Sequence, residues 1–121
     1  MENLRVSKVT NVRSLAGAIA ANIRKEGHVD VSAVGPIALN QAIKAVVSAR
    51  RYLQSDDNKS DLIAIPEYHV QIIKDDTIDV DREVSSIVLH LKRCEYKEDN
   101  DITTNRKNNK SILVDNIETN N

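Results

Sequence analysis

Leu4-Arg5-Val6-Ser7-Lys8-Val9 alternates apolar and polar side chains, the period of a strand with one buried face. Thr10-Asn11 interrupts it. Leu15, Ile19 and Ile23 then recur every fourth residue, with Ala16, Ala18, Ala20 and Ala21 among them. This spacing predicts a helix with a narrow apolar stripe and small residues that permit close approach to a sheet. Asn11 or Ser14 caps its start, Arg24-Lys25 suit its negative end, and Gly27 suits the left-handed residue that follows a helix. Val29 to Val34 alternates again as a second strand, closed by Gly35-Pro36. Proline fits the first turn of a helix, where no backbone donor is needed. The second helix is expected from about Ile37 to Leu53, burying Leu39, Ile43, Val46, Val47 and Leu53 with Ala42 and Ala49.

Residues 54 to 60 are polar, have no period and read as a loop. Leu62-Ile63-Ala64-Ile65 is a continuous apolar run, the pattern of a central strand covered on both faces. Pro66 is expected to end or interrupt its ladder. Val70 to Ile73 continues extended, Lys74-Asp75-Asp76 reads as a turn, and Val84 to Leu91 is the last strand. After Cys94 the composition changes: residues 95 to 121 hold seven asparagines and few aliphatics. The expectation is a domain over 1–94 and a polar, disordered tail over 95–121. The element order is β-α-β-α-β-β. Two strand–helix units with right-handed crossovers place both helices on one face of a four-stranded mixed sheet, an α+β two-layer sandwich.

Charge refines this picture. The formal net charge is -1, which argues against coating DNA by bulk charge alone. The charges are nonetheless segregated: residues 1 to 60 carry nine Lys/Arg against five acids, and residues 61 to 94 carry four against seven. Lys8 and Arg13 flank the first strand–helix junction, and Lys44 lies in the early turns of the second helix. The two junctions are neighbours in this topology, and helix N-termini offer free N–H groups to a phosphate. Solvated surface cations are the plain alternative.

Other chemistry is poorly supported. One cysteine, Cys94, excludes an intramolecular disulfide and a cysteine-rich metal site. His28, His69 and His90 lack short metal-ligand spacing. The acids from Asp75 to Asp81 lack the glycine and terminal glutamate of a calcium loop. No nucleophile with a positioned base is nominated. The reading is therefore no catalytic residue, no metal and no cofactor. No apolar run has the length of a membrane span, and the start lacks the apolar core of a secretory signal, so a cytoplasmic location and no membrane partner are expected.

The segments Val6-Ser7, Ser14 to Ala20, Ala33-Val34-Gly35-Pro36-Ile37-Ala38-Leu39-Asn40-Gln41-Ala42-Ile43-Lys44-Ala45, Ala49-Arg50 and Asp61 to Pro66 together resemble the stage V sporulation protein S family. That family is similar to the Alba proteins, small β-α-β-α-β-β domains that dimerise and bind DNA or RNA. The resemblance implies a non-enzymatic regulator of sporulation or cell development, acting as a homodimer or higher oligomer. It also implies a nucleic-acid surface built from the first strand–helix loop, the start of the second helix and the last hairpin. Carried onto this sequence, it assigns Lys8 and Arg13, then Asn40, Gln41 and Lys44, then Lys74 and Arg82, with Gly35 and Pro36 forming the turn. Archaeal Alba proteins carry basic residues beside this glycine, whereas Pro36 and Ile37 stand here, and the hairpin is acidic. These departures imply modest, salt-sensitive binding. The alternative is a protein-interaction or assembly module of spore development that does not touch nucleic acid.

Overall fold

The computed structural model describes residues 3–75 and 80–103. Its elements are β1 (Asn3–Val6), α1 (Val12–Glu26), β2 (His28–Ala33), α2 (Pro36–Gln54), β3 (Ser60–Asp75) and β4 (Val80–Glu95), followed by a single 3-10 turn at Glu98–Asn100. The four strands form one mixed sheet in the order β1-β2-β4-β3. β1 and β2 are parallel, and β4 is antiparallel to both β2 and β3. β1, β2 and β3 thus share a direction, and α1 and α2 cover the same face. The predicted element order and two-layer arrangement are those observed.

Alternation along the strands decides what the helices cover. Val29, Val31, Leu89, Leu91 and Leu62 turn toward the helices and are buried. Their alternates, including Asp30, Ser32, Val88 and His90, fall on the face without helices, as a period of two requires. α1 contributes Leu15, Ala16, Ile19, Ala20 and Ile23, the stripe expected from its spacing. α2 buries Val46, Leu53, Ala42 and Ala49 as its spacing predicts, but not Ile43 and Val47. Ala38, Ala42, Ala45 and Ala49 are at most 2% exposed, whereas Ile43 and Val47 are 44% and 45% exposed. Facing alanines let α1 and α2 approach closely across the sheet, and the isoleucine and valine are turned outward by the same helical period.

Several boundaries differ from the sequence reading, each for a physical reason. β1 stops at Val6, because Thr10 closes a turn by donating its N–H to the Ser7 carbonyl (3.1 Å) while its Oγ1 accepts the Ser7 N–H (2.8 Å). Residues 62–65 do not form a central strand: β3 lies at the sheet edge, with Ile63 49% and Ile65 44% exposed. The edge also explains Pro66, which stands inside an unbroken strand, since an edge strand tolerates a residue without an N–H. β3 continues to Asp75 through the residues expected to turn; the rest of that turn, from residue 76, is outside the described residues.

Residues 96–103, counted with the tail in the sequence reading, are fastened to the domain. The amide Nε2 of fully buried Gln54 donates to Asp61 Oδ2 (3.1 Å) and to the Asn100 carbonyl (2.9 Å). Its Oε1 accepts the Ile102 N–H at 2.7 Å. Arg50 forms a two-pronged pair with Asp61 (2.8 and 2.9 Å) and also donates to the Asn100 carbonyl. Burial opposes ionisation of Asp61, but hydrogen bonds from Arg50, the Leu62 N–H and Gln54 outweigh it and hold the carboxyl below its ordinary value. The expected tail beyond residue 103 lies outside the described residues.

Candidate nucleic-acid interface

Because β1 and β2 are parallel neighbours, their carboxyl ends lie side by side and the chain leaves both toward a helix. The first exit is the Ser7–Thr10 turn, after which Asn11 caps α1 by accepting the Ser14 N–H at 2.9 Å. The second exit is Gly35, whose φ of 89° and ψ of 160° lie where an L side chain is strained, so glycine is required by the turn itself. Pro36 then opens α2 without needing a partner for its nitrogen. Gly35 offers no side-chain cap, and neither α1 nor α2 has an acid in its first turn. Both helix N-termini therefore keep their partial positive charge unneutralised by their own sequence.

One contact joins the exits. Gln41 Nε2 donates to the Thr10 carbonyl at 3.1 Å, tying the first loop to α2. Gln41 was expected as a ligand contact; one of its amide hydrogens is used in positioning the loop. The result is a groove of about 370 Å³ bounded by Ser7 and Lys8 on one side and Val34 to Ala38 on the other. Lys8, Arg13, Asn40 and Lys44 are all exposed: Lys8 lines the groove, Arg13 and Asn40 stand in the early turns of α1 and α2, and Lys44 lies near the middle of α2. Asn40 and Lys44 are one helical turn apart on α2. Among the described residues, Lys8, Arg13 and Lys44 enter no ion pair.

Two other cations are already occupied. Arg50 is committed to Asp61, and Arg24 pairs with Asp56 through two contacts of 2.9 and 3.1 Å. Arg5 on β1 and Lys25 and Arg51 in the last turns of the helices also enter no ion pair among the described residues, so the free cations are spread over the molecule, with Lys8 and Arg13 at the strand–helix end. The hairpin points the same way. Ala33, the last residue of β2, pairs with Ile87, so His69–Asp75 and Val80–Ser86 extend past β2 at the end that holds both exits. Arg82 is exposed on this extension, and the side chain of Lys74 is outside the described ones.

The groove is mainly apolar: Val6, Val34, Pro36, Ile37 and Ala38 line it beside Ser7 and Gly35, and Lys8 is its one charged lining residue among the described ones. Val9, Val34 and Ile37 are 83%, 57% and 59% exposed at or near its rim. Tyr68, Val70 and Ile72 are likewise exposed on the hairpin, on the helix side of the sheet.

Sequence reasoning missed two clusters. One is Arg50–Asp61–Gln54, described above. The other crosses the helix-free face: His90 Nδ1 lies 2.8 Å from Asp30 Oδ1, and His90 Nε2 lies 2.7 Å from Glu67 Oε1. These residues are 60 and 23 positions apart in the chain. Alternation places Asp30 and His90 outward, but only the strand order and register reveal that they are neighbours. Among the described residues, no group of three or more His, Cys, Asp or Glu side chains is arranged to hold a metal ion. No helix among them is long and apolar enough to cross a membrane.

The chain matches the family described as stage V sporulation protein S over residues 2–90, a span that contains both strand–helix exits, both helices and most of the hairpin. A match over that much of the chain, together with the observed β-α-β-α-β-β sheet, settles its kinship: the protein belongs to the stage V sporulation protein S family, a family of non-enzymatic sporulation regulators.

Proposed function

We propose that this protein binds nucleic acid as a homodimer, through the groove between its two strand–helix exits, and regulates development in that way. The observation that carries the reading is a pair of neighbouring helix N-termini free of acids, with Lys8 and Arg13 beside them and Lys44 further along α2, none ion-paired among the described residues. A phosphate in the groove accepts hydrogen bonds from free N–H groups at the start of α2 and a charge-assisted bond from Lys8. Asn40 presents an amide one turn further on, able both to donate and to accept. Pro36 removes one backbone donor and Ile37 places an apolar side chain at the rim, so each site contributes little affinity and binding depends strongly on salt. Arg82 and Lys74 on the projecting hairpin are secondary phosphate contacts in this reading.

Self-association is supported by Ile43 and Val47 on the outer side of α2 and by Tyr68, Val70 and Ile72 on the same side of the sheet, all exposed in the single chain. A second copy covers this apolar surface and doubles the number of phosphate-contacting sites. The same exposed residues favour the second reading, an assembly module whose partner is another protein.

Binding of labelled duplex DNA and single-stranded RNA, followed by fluorescence anisotropy, separates the two. The double variant Lys8→Glu, Lys44→Glu should lose most of the affinity, whereas Ile43→Glu, Val47→Glu should yield a monomer with weakened binding. Absence of binding to either nucleic acid at low salt refutes the first reading. Protein capture that survives the lysine reversals but fails in the Ile43, Val47 variant supports the second.

A further inference from the structure

The sheet face without helices holds a cleft of about 390 Å³, which adjoins the groove at the strand–helix exits through Val6 and Val34 but takes its polar lining from other residues. Its lining includes Asn3 and Arg5 of β1, Ser32 of β2, Ser86 and Val88 of β4 and His69 of β3. All four strands thus contribute to one concavity. Every polar side chain in this set can donate a hydrogen bond, and Arg5 brings a permanent positive charge that enters no ion pair among the described residues. No carboxylate lines the cleft among the described residues.

The register makes that absence informative. Arg5 pairs with Ser32, Ser32 with Val88, and Val88 with Glu67, so Glu67 stands in the row that crosses the cleft. Its carboxylate is drawn into the neighbouring row by His90, whose other nitrogen meets Asp30. A neutral imidazole has a single N–H, so both short contacts are hydrogen bonds only when the ring carries its second proton. The bonds to Glu67 and then Asp30 hold the His90 pKa above the ordinary 6.5. The other charged or titratable groups facing this ring are His28 on β2, His69 on β3, Lys92 on β4 and, further across the sheet, Arg5 on β1.

We propose that the cleft on the helix-free face binds a small free oxyanion of the phosphate or sulfate class, with Arg5 as its charge partner and Ser32 and Ser86 as neutral donors, and that His90 holds Glu67 away from it. When His90 loses its proton, one of its two carboxylates loses its donor. Asp30, 23% exposed on an inner strand, keeps the ring, and Glu67, 59% exposed on the edge strand, is released toward the cleft. A negative charge at the cleft then opposes the anion.

Sulfate is the appropriate probe, because its charge is constant across the range in which His90 titrates. Amide chemical shifts of the full chain are followed during sulfate addition at pH 5.5 and pH 8.5, with chloride matching the ionic strength. The expected result is a saturable shift at Arg5, Ser32 and Ser86, about five- to tenfold weaker in affinity at the higher pH, as one added like charge at this range dictates. Arg5→Gln should abolish it. Glu67→Gln should retain binding at both pH values, and the Lys8→Glu, Lys44→Glu variant should bind sulfate in the cleft as the parent does. Each variant's amide spectrum reports whether it is folded. Shifts confined to residues around Lys8 and Gly35 overturn the cleft and leave the groove untouched. A pH dependence that persists in Glu67→Gln and vanishes in His69→Gln overturns the role given to Glu67.

Discussion

Gly35 shows how a single residue can be required for a reason unrelated to space. A Cβ built there meets nothing within 4 Å, yet the backbone lies at φ 89°. Gly35→Ala is therefore expected to cost about 1–3 kcal/mol from backbone strain alone, measurable by urea denaturation, with the groove misaligned in the residual folded state. Two titrating clusters act at the same scale with opposite signs. Asp61 has a folded-state pKa below its ordinary value, so its contribution is complete at pH above that ordinary value and is lost as pH falls through the folded one. His90 has a folded-state pKa above 6.5, so its contribution is complete below 6.5 and is lost as pH rises through the folded value. Stability should accordingly be greatest in weakly acidic solution. Urea midpoints across pH 5 to 9 should fall on the alkaline side, and Glu67→Gln should flatten that fall. An unchanged alkaline slope in the variant contradicts the assignment. Neither cluster was visible in the sequence, because partners 11, 23 and 60 residues apart are brought together only by the register and by the packing of α2 on β3.

At the scale of elements, the alanines of α2 set the geometry. Ala42, Ala45 and Ala49 are fully buried, so the distance between α1 and α2 is set by methyl groups. Ala45→Leu should destabilise by about 1–3 kcal/mol through overpacking, read as a lowered denaturation midpoint with unchanged slope. Hydrophobic periodicity located both helices and the alternating strands β1 and β2, and the glycines and Pro36 marked their ends. Periodicity misassigned Ile43 and Val47 because it ranks residues by size, whereas the helix turned its smallest residues inward. It misplaced β3 for a related reason: Leu62 to Ile65 reads as buried on both faces, but Ile63 and Ile65 are left exposed on the helix-free side of an edge strand. The long hairpin was understated because its acids resemble a solvated turn, although paired backbone groups carry the strands through them. Gln54 is a further lesson. It ends a helix and begins a polar run, yet it is 1% exposed and secures residues 100–102. Gln54→Leu leaves the Ile102 N–H and Asp61 short of partners and should cost about 1–3 kcal/mol, with amide exchange accelerated first at Ile102.

For the whole molecule, strand order carries the functional consequence. Parallel β1 and β2 bring two helix starts together, and β3 and β4 extend beyond them at the same end. Of the expected positions, Lys8 and Arg13 stand at the first exit and Asn40 in the early part of α2, while Lys44 lies near the middle of that helix. What topology left open was which cations are free. Arg24 and Arg50 are engaged by Asp56 and Asp61, whereas Lys8 and Arg13 at the first exit enter no ion pair among the described residues. A near-neutral protein with a mainly apolar groove has no general positive field to offer, so any affinity for nucleic acid should come from a few phosphate contacts.

The most direct measurement is the salt dependence of duplex DNA binding by anisotropy, in the parent chain and in Lys8→Glu and Lys44→Glu separately. Three neutralised phosphates per chain, counted over both copies of the homodimer, give a slope of log K against log salt of about −5.4, and each reversal, present in both copies, should reduce it in magnitude by about 2. A slope near zero, or one that neither reversal changes, would show that the groove between the strand–helix exits does not bind the phosphate backbone.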